Sequence, residues 1–94
     1  MKGLMTLDQL QQLKSSLELN CGVIEGMLED YSLYVDERQA NFIRSYTKSL
    51  VLDFEVAMTR GEDSELIIII EDLEELRSDT ATRLKERMNR RHEA

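Results

Sequence analysis

Apolar residues recur along most of this chain at steps of three, four or seven. Leu10, Leu13, Leu17, Ile24, Met27, Tyr31 and Tyr34 form one such series, and Leu66, Ile69, Leu73, Leu76, Leu84 and Met88 form another. That spacing gathers side chains on one stripe of a helix, and a stripe of this kind is stable only against another helix. The first helix is expected over about residues 6–34, opened by Thr6 or Asp8, whose side-chain oxygens can accept an orphan backbone N–H. Asn20 interrupts its seam. In paired helices one such residue sets register at some cost in stability. Gly22 and Gly26 fall mid-helix, where each costs about 1 kcal/mol relative to alanine. They imply a kink or break near Cys21-Gly22, a close approach of another helix, or a ligand reaching the backbone.

A second helix is expected over about 36–60. Asp36 and Gln39 have capping-box spacing, and the stripe runs through Ala40, Ile43, Tyr46 with Thr47, Leu50, Phe54 and Ala57. Arg60 suits the last turn and Gly61 the left-handed cap beyond it. The third helix is expected over about 63–91, with Asp63 or Ser64 as cap. Leu66-Ile67-Ile68-Ile69-Ile70 competes as a strand, because consecutive isoleucines favour extended structure. Helix is the better reading, since the helical steps continue without a turn signal and no second strand is available to pair. The expected fold is all-α: one domain over 1–94, an antiparallel bundle of three long helices or a long helical hairpin, completed by dimerisation. Val23, Val51, Ile67 and Ile68 lie off the main stripe and suggest the second buried face that a homodimer needs. Laid up-down-up, the bundle would bring Arg83, Lys85, Arg87, Arg90 and Arg91 near Glu25, Glu29 and Asp30.

Composition sharpens this. With 94 residues, 41% apolar and 33% charged, no proline and four glycines, the chain suits long solvent-laced helices and is poorly suited to disorder. A net charge of −7 repels nucleic acid and anionic lipid, so direct nucleic-acid binding is disfavoured. The single cysteine allows no internal disulfide and fits a reducing compartment. The first residues lack the apolar core of a signal peptide, and the run Leu66 to Ile70 is far short of the roughly 20 residues that span a bilayer. A cytoplasmic protein without a membrane segment is expected.

Catalytic chemistry finds little footing. Cys21 and His92 are the only thiol and imidazole, and His92 sits near the C-terminus, so a nucleophile–base pair is not expected. Glu71, Glu74 and Glu75 read as a solvated face, and no metal site or cofactor is expected. Two clusters carry functional interest. Tyr31, Tyr34 and Tyr46 with Arg44, Lys48 and Arg38 could line a pocket for an anionic small molecule such as a nucleotide; otherwise they are core-edge tyrosines and surface charges. Arg83, Arg87, Arg90 and Arg91 could engage a partner, or pair within the bundle or dimer. The function expected is a non-catalytic interaction protein: an adaptor, inhibitor or assembly chaperone whose helical surface docks on another protein. The alternative is a sequestering protein for an anionic small molecule. A third class, nucleic-acid regulation through the arginine-rich end or mimicry of nucleic acid by the acidic face, is not separated from these by charge alone.

Overall fold

The computed structural model describes residues 5–93, with side chains described as far as Arg90. Three helices pack against one another: α1 (Leu7–Asp30), α2 (Glu37–Arg60) and α3 (Asp63–Glu93). No strand occurs among the described residues, and the isoleucine tract lies within α3. Helical winding places Leu66, Ile69, Ile70 and Leu73 on one buried face and turns Ile67 and Ile68 outward. Burial of four large side chains on α1 and α2 outweighs the β preference of the tract.

Local chemistry explains most of the ends. Thr6 Oγ1 accepts the Gln9 N–H at 3.2 Å, and Gln9 Oε1 accepts the Thr6 N–H at 2.9 Å, a reciprocal capping box. Asp36 caps α2 by accepting the Arg38 N–H at 3.0 Å, without the return bond from Gln39 that the spacing predicts. Gly61 takes φ 70°, and its N–H and that of Glu62 close on the last carbonyls of α2. Only glycine adopts that conformation without a steric penalty.

Two ends differ from expectation. The first helix stops at Asp30 rather than continuing to Tyr34. Its last turn has no basic residue, while Glu29 and Asp30 put negative charge at the negative end of the dipole. Ser32–Tyr34 form a 3-10 turn that redirects the chain into α2. Asp63 does not serve as a flanking cap; it is the first residue of α3, and its Oδ2 accepts the Met5 N–H at 2.6 Å. That bond pins the start of α1 beside the start of α3. At the other end, Arg87 Nη1 donates to the Tyr34 carbonyl at 3.3 Å.

The core is one cluster. Leu66 and Leu73 of α3 are fully enclosed, and Phe54, Ile24 and Leu28 are nearly so. The expected α2 stripe is buried except at Tyr46, which is exposed while neighbouring Thr47 points inward. Tyr31 is likewise exposed, and Leu28 fills the position that the α1 seam lacked. Of the off-stripe residues, Val51 is partly buried, whereas Val23, Ile67 and Ile68 are exposed.

Among the described residues each helix buries one polar side chain, and each donates to the carbonyl one turn back. Thr47 bonds Ile43 O at 2.7 Å, Thr80 bonds Leu76 O at 2.8 Å, and Asn20 Nδ2 bonds Ser16 O at 2.8 Å. Asn20 Oδ1 is the exception: it is buried with no partner among the described residues. A buried acceptor left unpaired costs about 1–3 kcal/mol. The two mid-helix glycines fit neither a break nor a close approach. Helix α1 runs unbroken through both, and no neighbouring group lies within 4 Å of where a Cβ would stand.

Two stability outcomes follow, both read from urea unfolding. Gly22→Ala and Gly26→Ala each raise stability by about 1 kcal/mol, since a methyl restricts the unfolded chain and meets no obstacle in the fold. Asn20→Leu raises it by a similar amount, roughly 1 kcal/mol, by replacing the unpaired acceptor with an apolar side chain of the same branched skeleton. A loss of stability in the glycine variants contradicts the open surroundings of α1.

Candidate functional site

Helices α1 and α2 each pack along α3 far more than on each other. Their shared border is therefore open. Between them runs a groove of about 540 Å³, lined by Cys21, Gly22 and Glu25 from α1 and by Arg44, Thr47 and Lys48 with their neighbours Ser45 and Val51 from α2. Small side chains at Cys21, Gly22 and Ser45 keep its walls apart. Arg44 Nε meets Glu25 Oε1 at 3.2 Å, the one ion pair within 4 Å among the described residues. Both side chains are about half exposed, at 42% and 54%, so the pair contributes roughly 0–1 kcal/mol. Lys48 has no ion-pair partner among the described residues.

Of the six residues expected around an anionic ligand, the groove unites two, Arg44 and Lys48. The tyrosines lie elsewhere. Tyr46 tilts against Phe42, with ring centroids 6.1 Å apart, and Tyr31 ends α1. Tyr34 falls on the far end of the bundle and joins the other expected cluster: with Arg83, Arg87 and Thr80 it borders a space of about 10 Å³. That space holds no more than a water molecule. Arg38 sits at the exposed first turn of α2.

The basic end of α3 lies beside the 3-10 turn that follows α1. Arg87 donates one N–H to the Tyr34 carbonyl, Arg83 flanks it, and Arg90 is exposed. None of these three forms an ion pair with Glu25, Glu29 or Asp30 among the described residues, and Glu25 pairs with Arg44 across the groove. The side chains of Arg91 and His92 lie outside the described residues.

Burial pushes the Cys21 thiol up from its ordinary range, and the nearby Glu25 carboxylate adds to the effect. A thiol shifted this way carries less thiolate at neutral pH and is a poorer nucleophile. No group of three or more His, Cys, Asp or Glu side chains capable of holding a metal occurs among the described residues. Among them, too, no helix is long and apolar enough to cross a membrane. No protein-family model, curated protein or solved structure matches this chain.

Sequence periodicity missed two features that the structure brings forward. Glu25 becomes part of the groove only once α1 and α2 are set side by side. Phe42, Leu52 and Val56 of α2 stand exposed, and their spacing was present in the sequence but overshadowed by the stronger stripe on the same helix.

The shifted thiol yields a measurable outcome. Alkylation of Cys21 in the folded chain should need a higher pH to reach half its maximal rate than in the urea-unfolded chain. Equal pH profiles contradict the burial of Cys21.

Proposed function

We propose that this chain works by binding rather than by catalysis, as a small acidic helical interaction protein: an adaptor, inhibitor or assembly chaperone for another protein. In this reading the three helices run up, down and up as an antiparallel bundle. The bonds from Met5 to Asp63 and from Arg87 to the Tyr34 carbonyl support that order. The observation that carries the proposal is the surplus of large apolar side chains outside the core. One stripe of each helix suffices to build the bundle, yet Leu19 on α1, Phe42, Leu52 and Val56 on α2, and Ile67 and Ile68 on α3 remain exposed. Isolated cases are ordinary on a soluble surface. Six of them, spread over all three helices of a 94-residue chain, are more than the fold requires and mark contact surfaces. The charge of −7 directs the chain toward neutral or basic protein partners and away from nucleic acid and anionic membranes, in keeping with a cytoplasmic setting.

The α1/α2 groove favours one further reading, a site for an anionic small molecule such as a nucleotide. Arg44 and Lys48 line it beside the hydroxyl-bearing residues Ser45 and Thr47, and its volume falls in the range of ligand pockets. Glu25 already engages Arg44, so a ligand would have to displace that carboxylate. Thermal melting against a nucleotide panel tests this: a ligand at 100 times its dissociation constant adds about 2.7 kcal/mol. No shift with any nucleotide removes the reading.

The leading proposal is tested by affinity capture from host extract with the wild-type chain, a Leu19→Glu variant and an Ile67→Glu/Ile68→Glu variant. All three should show equal helicity by circular dichroism. A specific protein should be retained by the wild type and lost with at least one variant. Equal retention by all, or no retained protein, overturns it.

A further inference from the structure

The outward side of α2 carries a second seam. Phe42, Ser45, Ser49, Leu52, Val56 and Thr59 succeed one another at steps of three, four, three, four and three, the spacing of core positions in a two-helix coiled coil. The seam faces away from the Ile43–Leu50–Phe54 stripe that packs in the core, and all six residues are exposed. Phe42 is 66%, Leu52 56% and Val56 47% accessible. None of the six is charged, although a third of the chain is. Charge flanks it, with Lys48 and Glu55 on one side and Asp53 and Arg60 on the other, and Arg38 stands one turn before Phe42 on the same line.

We propose that this seam docks a second copy of the chain, α2 against α2 in antiparallel register, forming a two-fold symmetric dimer. The inference rests on the reading of this chain as an interaction protein and names one partner for it. The seam complements itself. An antiparallel pair centred between Leu50 and Val51 sets Phe42 against Thr59 of the second copy, Ser45 against Val56 and Ser49 against Leu52, each twice by symmetry. Every layer then joins one large apolar side chain to one small hydroxyl side chain, so the layers have similar volumes and the backbones can stay evenly spaced. The flanks agree: Lys48 faces the second copy's Glu55, and Tyr46 faces its Asp53. A parallel pair would also match charges, with Lys48 beside Asp53 and Glu55 beside Arg60. It would, however, stack Ser45 on Ser45 and Ser49 on Ser49, leaving two adjacent hollow layers while Phe42 crowds Phe42. Charge thus selects a second copy, and core volume selects the direction.

The experiment uses the purified full chain, so it is independent of any captured partner: a dimer without a foreign partner, or the reverse, separates this inference from the proposal above. Sedimentation equilibrium should show a reversible dimer, and Leu52→Glu should render it monomeric with unchanged helicity. Lys48→Glu should weaken dimerisation by roughly tenfold, because both symmetric pairs turn repulsive. Adding Glu55→Lys to that variant should restore it, since the swapped charges still face one another in the antiparallel register. In a parallel dimer the double variant would set the new carboxylate at position 48 against Asp53 and stay weakened. A wild-type chain monomeric at all concentrations, a dimer indifferent to Leu52→Glu, or a double variant that fails to recover overturns the proposal.

Discussion

Everything in this fold depends on α3 serving as the shared wall for the other two helices. Leu66 and Leu73 have no exposed surface, because α1 covers them from one side and α2 from the other. Each fully buried leucine contributes about 1.5–3 kcal/mol, so this line of side chains outweighs any single contact elsewhere in the chain. It also sets the shape. Two helices that lean on a third make little use of each other, and the result is a rod about 59 Å long and less than 20 Å across with a groove along one border. Groove and outward face are by-products of where the apolar stripes point.

Such a thin bundle has a narrow interior, and its polar interior groups are handled within each helix. Thr47 and Thr80 return their hydroxyl protons to their own backbone, so they require nothing from neighbouring helices. Asn20 cannot do the same with its second polar atom. At the ends, where few apolar contacts remain, side chain to backbone bonds tie one helix to another: Asp63 to Met5 at one end, Arg87 to Tyr34 at the other. Apolar burial thus fixes the middle, and single polar bonds hold the termini.

The helices and their core faces were legible in the sequence because periodicity reports the direction in which a helix must be covered. Ile43, Leu50 and Phe54, or Leu66, Ile69 and Leu73, can share a buried side only in a helix. The capping residues Thr6 and Asp36 and the glycine at 61 were readable because their chemistry is local. The end of α1 was harder to read: Tyr31 and Tyr34 continue the spacing, and only the absence of a favourable last turn argues against them. The candidate site was less legible still. Tyr34, Tyr46 and Lys48 are close in sequence and similar in promise, yet they point to three different surfaces. Periodicity says which side of a helix is buried but not which helix lies beside it. Lys48 therefore met Glu25 and Cys21 across the groove, while Tyr34 met Arg83 and Arg87 at the end of the bundle.

The outer side of α2 is best judged against the outer side of α3, since both belong to one chain under one net charge. On α3, beyond the exposed Ile67 and Ile68, the outer surface carries Glu71, Glu74, Glu75, Asp79, Lys85 and Glu86, side chains that favour water and keep helices apart. On α2 the corresponding surface carries Phe42, Ser45, Ser49, Leu52 and Val56. Helix propensity does not explain the contrast, because phenylalanine, serine and valine are weaker helix formers than the lysine and glutamate used next door. Core packing does not explain it either, because all five are exposed and none belongs to the buried cluster. Withholding charge from one stripe while placing it freely on another has a physical benefit only if that stripe leaves water. A partner surface, built from the same alternation of large and small side chains, is what lets it do so.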